Sequence, residues 1–214
     1  MGKVALLVLA VLVSALVMAG LGGVTVYNRL VSLGQGVDAQ WSQVENVYQR
    51  RADLVPNLVA TVQGAANFEK STLTAVTEAR ASVGKVEVSG KSLVNDPQAF
   101  AKWQAAQDGL SSALSRLLVV SENYPELKAT QAFRDLQSQI EGSENRIAVE
   151  RGRFNEAAQA YNTVRLQFPG NIVAGIGGFG EKAYFKAQAG SEQAPKVQFQ
   201  RAVPSRLVPA RIRV

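Results

Sequence analysis

From Val4 to Val26 the chain runs 23 residues without a charge, then passes into a periodic apolar seam with no turn signal between them. At ~1.5 Å per residue the run makes roughly 34 Å of helix, enough to cross a hydrocarbon core of about 30 Å with some tilt. A buried soluble helix seldom stays uncharged for so long, so residues 4–26 read as a transmembrane helix. The alternative is a cleaved signal peptide, with Val17-Met18-Ala19 before Gly20 as its small-residue site. The apolar run continues past that site, which favours an uncleaved anchor. Lys3 precedes the span, while Arg29 and then Asp38 follow it. By the positive-inside rule the short tail (1–3) is cytoplasmic and the body external. Ala15, Ala19 and Gly23 form a small-xxx-small stripe where two anchors could pack, although an Ala- and Gly-rich span makes such stripes by accident.

Beyond the span, large or apolar residues recur at Val37, Trp41, Val44, Tyr48, Arg51, Val55, Leu58 and Val62. Steps of four and three make a heptad seam, not a strand pattern. The spacing predicts one helix continuing to about Ser82. Two seam features are odd. Arg51 puts a charge where a partner is required, because an unpaired buried charge is costly. Pro56 removes a backbone donor and presses on the carbonyl of Ala52, which predicts a bend. The plain interpretation is a kinked structural helix with a satisfied arginine; the sharper one is a contact site including Arg50, Arg51, Asp53 and Pro56.

Gly84–Asn95 has turn residues and no helical period, hence a loop. Asp96-Pro97 then offers a cap and a first-turn proline. A second helix carries Phe100, Trp103, Gln107, Leu110, Leu114 and Leu117, and Tyr124-Pro125 ends it. A third carries Phe133, Leu136, Ile140, Ser143, Ile147, Glu150, Phe154, Ala157, Tyr161, Val164 and Phe168, up to Pro169-Gly170. The fold class is therefore all-α: an N-terminal transmembrane helix, an elongated antiparallel bundle of three long helices, and a short C-terminal helix at Glu181–Phe185. The bundle domain spans 27–187, and 188–214 is a basic tail.

Helix lengths predict the register. If helix one rises unbroken from Tyr27 to about Val83, helix two descends and helix three rises again. The turn at Pro125 then falls level with about Pro56, and Glu150 level with Arg80. The expected ion pairs are Arg80 with Glu150 or Glu144, and Arg51 with Glu122 or Glu126. The same arithmetic leaves Leu33, Val37, Trp41, Val44 and Tyr48 without an intrachain helix beside them. Exposed apolar seams usually mean association, so homo-oligomerisation is the expected cover, with a folded-back C-terminal segment as the alternative.

Composition narrows the chemistry. There is no cysteine and no histidine, which removes thiol chemistry, disulfides, most zinc sites and histidine acid–base catalysis. Carboxylates alternate with bases along helix faces, as in Glu141, Glu144, Arg146 and Glu150, the pattern of a paired or solvated surface. No catalytic set, metal site or cofactor is expected. Gly175-Ile-Gly177-Gly178-Phe-Gly180 matches the dinucleotide-binding spacing, but that motif needs a preceding strand, and Pro169-Gly170 and a long helix stand there instead. A flexible joint, or backbone laid against apolar side chains, accounts for it better. The net charge of +6 is local: Tyr27–Glu192 carries 17 basic and 17 acidic residues, and the excess lies at Lys3, Lys196, Arg201, Arg206, Arg211 and Arg213. The stretch from Pro195 to Val214 reads as a strip for anionic lipid, an arm added to a neighbouring subunit, or a disordered terminus. With Phe199 its single aromatic, nucleic acid is not an expected partner.

Several blocks together resemble the LemA family of bacterial membrane-anchored helical proteins. They are Tyr27-Asn28-Arg29-Leu30-Val31, Trp41-Ser42-Gln43-Val44, Gln49 to Val59, Glu78-Ala79-Arg80, and Glu122 to Ala129. Arg153-Phe154-Asn155, Tyr161-Asn162, Phe179 and Tyr184-Phe185 complete the set. The resemblance covers Tyr27 to about Phe185. It implies a helical bundle in the bacterial inner membrane, crossed once, with no reaction attached. The expected function is a non-enzymatic scaffold or envelope organiser that self-associates. The alternative is an adaptor or regulator presenting the Arg51–Pro56 surface to another membrane protein, such as a protease or signalling complex.

Overall fold

The computed structural model describes residues 2–85 and 93–187, all helix, turn or extended connection. The basic tail, and most of the expected loop at 84–95, lie outside the described residues. Helix α1 spans Gly2–Gln63 and α2 Lys70–Lys85; α3 spans Pro97–Ser121, α4 Pro125–Ala129, α5 Gln131–Leu166 and α6 Gly170–Gly177.

The first helix does not run to Ser82. It stops at Gln63, and the chain turns through Gly64–Glu69, where Asn67 takes a left-handed φ of 62°. Asparagine tolerates that conformation better than most residues. α2 then descends along α1, bringing Arg80 Nε to the Ala52 carbonyl at 3.4 Å. Every later direction is thereby inverted. α3 rises, with Asp96 accepting bonds from the amides of Gln98 and Ala99 at its start. α5 descends, its first turn held by Thr130 accepting from the Phe133 amide.

This reversal removes the uncovered seam. Val37, Trp41, Val44 and Tyr48 are all buried, and Leu33 packs partly buried against the same core. Their cover comes from the membrane-proximal half of α5, the start of α3 and the folded-back segment 178–187. Trp41 is the centre of that core, with ring centroids 5.0 Å from Trp103, 5.5 Å from Phe154 and 5.7 Å from Phe100. Such pairs contribute about 0.5–1.5 kcal/mol each beyond their area. A second cluster lies farther from the span, where Val55, Leu58 and Val62 meet Leu110, Leu114, Leu117, Phe133 and Ile140.

The end of the chain also departs from expectation. The helix after Leu166 is α6, at Gly170–Gly177, and Glu181–Phe185 is extended. A Cβ at Gly170 would lie 1.9 Å from the Val164 carbonyl oxygen, so only glycine admits this tight turn out of α5. Gly178 closes α6 with φ 70°, a conformation that favours glycine. Two glycines of the dinucleotide-like pattern thus have structural duties: Gly178 caps the helix, and Gly177 stands where a Cβ would meet the Phe179 ring at 2.6 Å.

Candidate functional site

Arg51 lies on the inward face of α1 and is fully buried. One terminal nitrogen, Nη1, donates to Glu144 Oε1 at 2.8 Å and to Ser111 Oγ at 2.5 Å. The other, Nη2, donates to Gln107 Oε1 at 2.6 Å and to the Gln107 carbonyl at 3.3 Å. Ser111 in turn donates to the Glu144 carboxylate. One side chain therefore ties α1 to α3 and α5. Its carboxylate partner is Glu144, not Glu122 or Glu126, because the turn after Gln63 brings the middle of α5 to this level.

One turn nearer the membrane a second cation repeats the arrangement. Arg151 donates through Nη2 to Asp108 at 2.6 Å and through Nε to the Tyr48 hydroxyl at 2.5 Å. Arg51 and Arg151 both lie over the Tyr48 ring, at 5.0 and 5.6 Å from its centroid. Burial pushes the Tyr48 hydroxyl up to about 12, with Arg151 working against that shift. Lower still, Lys182 approaches Asp38 at 3.6 Å.

The remaining predicted residues are spread around this axis. Arg50, Asp53 and Pro56 face solvent, and Gln49 donates to Asp53 at 2.7 Å. Arg80 is exposed and meets neither Glu144 nor Glu150. Its bond to Ala52 has a specific cause: Pro56 has no N–H for that carbonyl, so the arginine supplies the missing donor. Glu150 accepts from Gln40 at 2.6 Å and pairs with Arg153 at 2.8 Å. Glu122 pairs with Lys128, and Glu126 is exposed beside a groove formed by Thr61, Gly64, Ala65, Tyr124 and Leu127 at the membrane-distal end.

Sequence reasoning missed how residues 178–187 are held. Three carboxamides each grip one backbone residue by both its N–H and its C=O. Asn162 grips Lys182 at 3.0 and 2.8 Å, and Asn155 grips Phe185 at 2.9 and 3.0 Å. Gln104 grips Lys186 at 3.2 and 2.7 Å. Tyr161 donates to the Gly180 carbonyl and Arg165 to that of Phe179. Extended backbone with no neighbouring strand needs such partners. Asn155 and Asn162 stand seven apart beside the apolar seam of α5, a spacing that puts them on one face without naming what they hold. Among the described residues no group of three or more carboxylates is placed to hold a metal ion.

The model of the LemA family matches residues 40–199 of the chain. Magnetosome protein MamQ 2 of Paramagnetospirillum magneticum is 29% identical over 175 residues, 75% of this chain. MamQ of Magnetospirillum gryphiswaldense is 28% identical over 174 residues, 74% of this chain. The match spans 64% of the length of each of these relatives. Protein LemA of Metamycoplasma hominis is 25% identical over 133 residues, 62% of this chain and 56% of that protein.

Proposed function

The chain belongs to the LemA family, and from that premise we propose that it is a membrane-anchored scaffold, a stiff helical post that organises the envelope by self-association. The observation that carries this reading is the continuity of α1. A single helix contains both the apolar run and the bundle's central seam, ending at Gln63. From Tyr27 to Gln63 it rises roughly 55 Å. Cations that tie α1 to its neighbours, Arg51 with Glu144, Arg151 with the Tyr48 hydroxyl and Lys182 with Asp38, brace that length against bending. The proximal seam is spent inside the chain, so the contact between copies moves to the exposed anchor, where Ala15 and Ala19 would let two spans approach.

The mass of the full-length protein in mild detergent tests this, beside the variant Ala15→Leu/Ala19→Leu. An assembly larger than one chain that shrinks in the variant supports the reading. A monomer for the unmodified chain overturns self-association.

The second reading, an adaptor for another membrane protein, draws on the distal end. The groove beside Tyr124, Glu126 and Leu127 and the solvent-facing Arg50, Asp53 and Pro56 offer polar and apolar contacts well away from the bilayer.

A further inference from the structure

Leu166–Gly180 is a charge-free stretch of fifteen residues bounded by Arg165 and Glu181. In the fold it leaves α5, forms α6 and returns as the extended segment, making an elbow. Its outward surface is apolar: Phe168 is 81% exposed, Ile176 85%, and Leu166 and Ile172 lie more than half open. Among the described residues, large apolar side chains this open are otherwise concentrated in the span, with Val119 and Val149 isolated on the bundle surface.

Position identifies what covers the elbow. α6 packs against α1 at the last turns of the 4–26 run. A Cβ at Gly170 would lie 3.7 Å from Val26, Gly177 stands against the Tyr27 ring, and Ile176 shares a crease with Gly20, Gly23 and Val24. Val24, Gly23 and Gly20 lie two to six residues inside Val26, so the crease that Ile176 lines runs about 3–9 Å inside the end of the span. The apolar faces of interfacial helices lie about 5–10 Å deep. Polar groups mark the boundary above it. Tyr27 is about half exposed, with its ring edge-on to Phe179 at 5.2 Å, and Asn28 and Arg29 follow it. Tyr161 packs beside Gly34, so Arg165, one turn lower, lies level with about Leu30. Aromatic and cationic side chains at that height suit the headgroup layer.

We propose that the elbow at Leu166–Ile176 is a second membrane contact, inserted into the acyl–headgroup boundary of the leaflet from which the bundle emerges. It rests on the anchor reading of α1. Two points of contact, a span and an elbow beside it, fix the bundle's rotation about the α1 axis and its tilt, which a lone helix leaves free. Gly177 and Gly178 of the dinucleotide-like pattern belong to this device: they permit the close turn that keeps the end of α6 against Tyr27 and Phe179.

The chain has no cysteine, so single labels are unambiguous. Ile176→Cys, Leu16→Cys and Val149→Cys are each labelled with an environment-sensitive fluorophore. The full-length proteins are then reconstituted in phosphatidylcholine/phosphatidylglycerol vesicles with brominated acyl chains. All three side chains are more than half exposed, so the fold tolerates the labels; far-UV circular dichroism checks this. Position 176 is expected to be quenched to within about twofold of position 16, while position 149 is unaffected. Quenching at 16 with 176 behaving like 149 overturns the elbow and leaves the anchor standing; a second copy covering Ile176 in place of lipid gives that same result. No quenching at any position overturns the anchor reading, and the elbow with it.

Discussion

Replacing Glu144 by glutamine removes one charge and almost no volume, yet it strands a cation. Arg51 is fully buried, while Glu144 keeps about a third of its side chain in solvent. After Glu144→Gln the guanidinium retains only neutral acceptors: Ser111, Gln107 and the amide oxygen of the substituted side chain. Removing one partner of a buried ion pair costs about 3–5 kcal/mol, and the surviving acceptors put this case near the lower end, about 3 kcal/mol. Arg51→Met is different. Methionine refills most of the apolar stem, and the carboxylate of Glu144, about a third exposed, can turn to water. The main loss is the donor to Gln107, about 1–3 kcal/mol. The smaller, neutral-looking substitution is thus expected to be the worse one. In the double variant nothing charged is stranded, so its stability should match that of Arg51→Met alone. That implies a coupling equal to the whole cost of Glu144→Gln, about 3 kcal/mol. At about 2–4 °C per kcal/mol for a chain of this size, Glu144→Gln lowers Tm by roughly 6–12 °C. Trp41 and Trp103 lie in the adjoining core, so thermal unfolding of the detergent-solubilised protein can be followed by tryptophan fluorescence. Additive losses, or a Glu144→Gln variant milder than Arg51→Met, would show that Ser111 and Gln107 alone hold the charge and would refute this argument.

The Tyr48 hydroxyl predicts an alkaline limit. Its folded pKa of about 12 exceeds the ordinary 10, so the unfolded chain releases the proton first. The contribution, about 2–3 kcal/mol, is fully present below pH 10 and lost as pH rises towards 12. Urea midpoints measured from pH 8 to 12 should fall in that window, and fall less in Tyr48→Phe; an equal decline in both would exclude this residue as the cause. The Pro56–Arg80 pairing predicts a conditional effect. Arg80→Ala should cost about 0.5–1.5 kcal/mol beside Pro56, and close to nothing after Pro56→Ala, whose restored N–H supplies the Ala52 carbonyl; denaturant titration of the four proteins measures the difference.

The seam spacing placed Val37, Trp41, Val44, Tyr48, Arg51, Val55, Leu58 and Val62 on one face, and all of them are buried. The break after Gln63 was not legible from spacing. Thr72 and Val76 resume an apolar rhythm past the turn, and a heptad pattern carries no sign of direction. From that one omission follow the misplaced pairings of Arg51 and Arg80 and the impression of an unpartnered seam at Leu33–Tyr48. The carboxamide clamps were hidden for another reason. Asn155 and Asn162 hold backbone, and a backbone partner leaves no mark in side-chain identity.

By itself the amino-acid sequence determined that this protein is all-helical, that one apolar helix leads into a bundle, and that a buried arginine needs a partner. These are consequences of local periodicity and transfer energetics, which neighbouring residues carry wherever the chain runs. Only the tertiary structure decided that Glu144 is the partner, that the proximal seam is covered from within, and that the glycine-rich stretch lies beside the span. Each depends on whether the chain reverses at Gly64–Glu69, a local backbone choice that redirects every later helix.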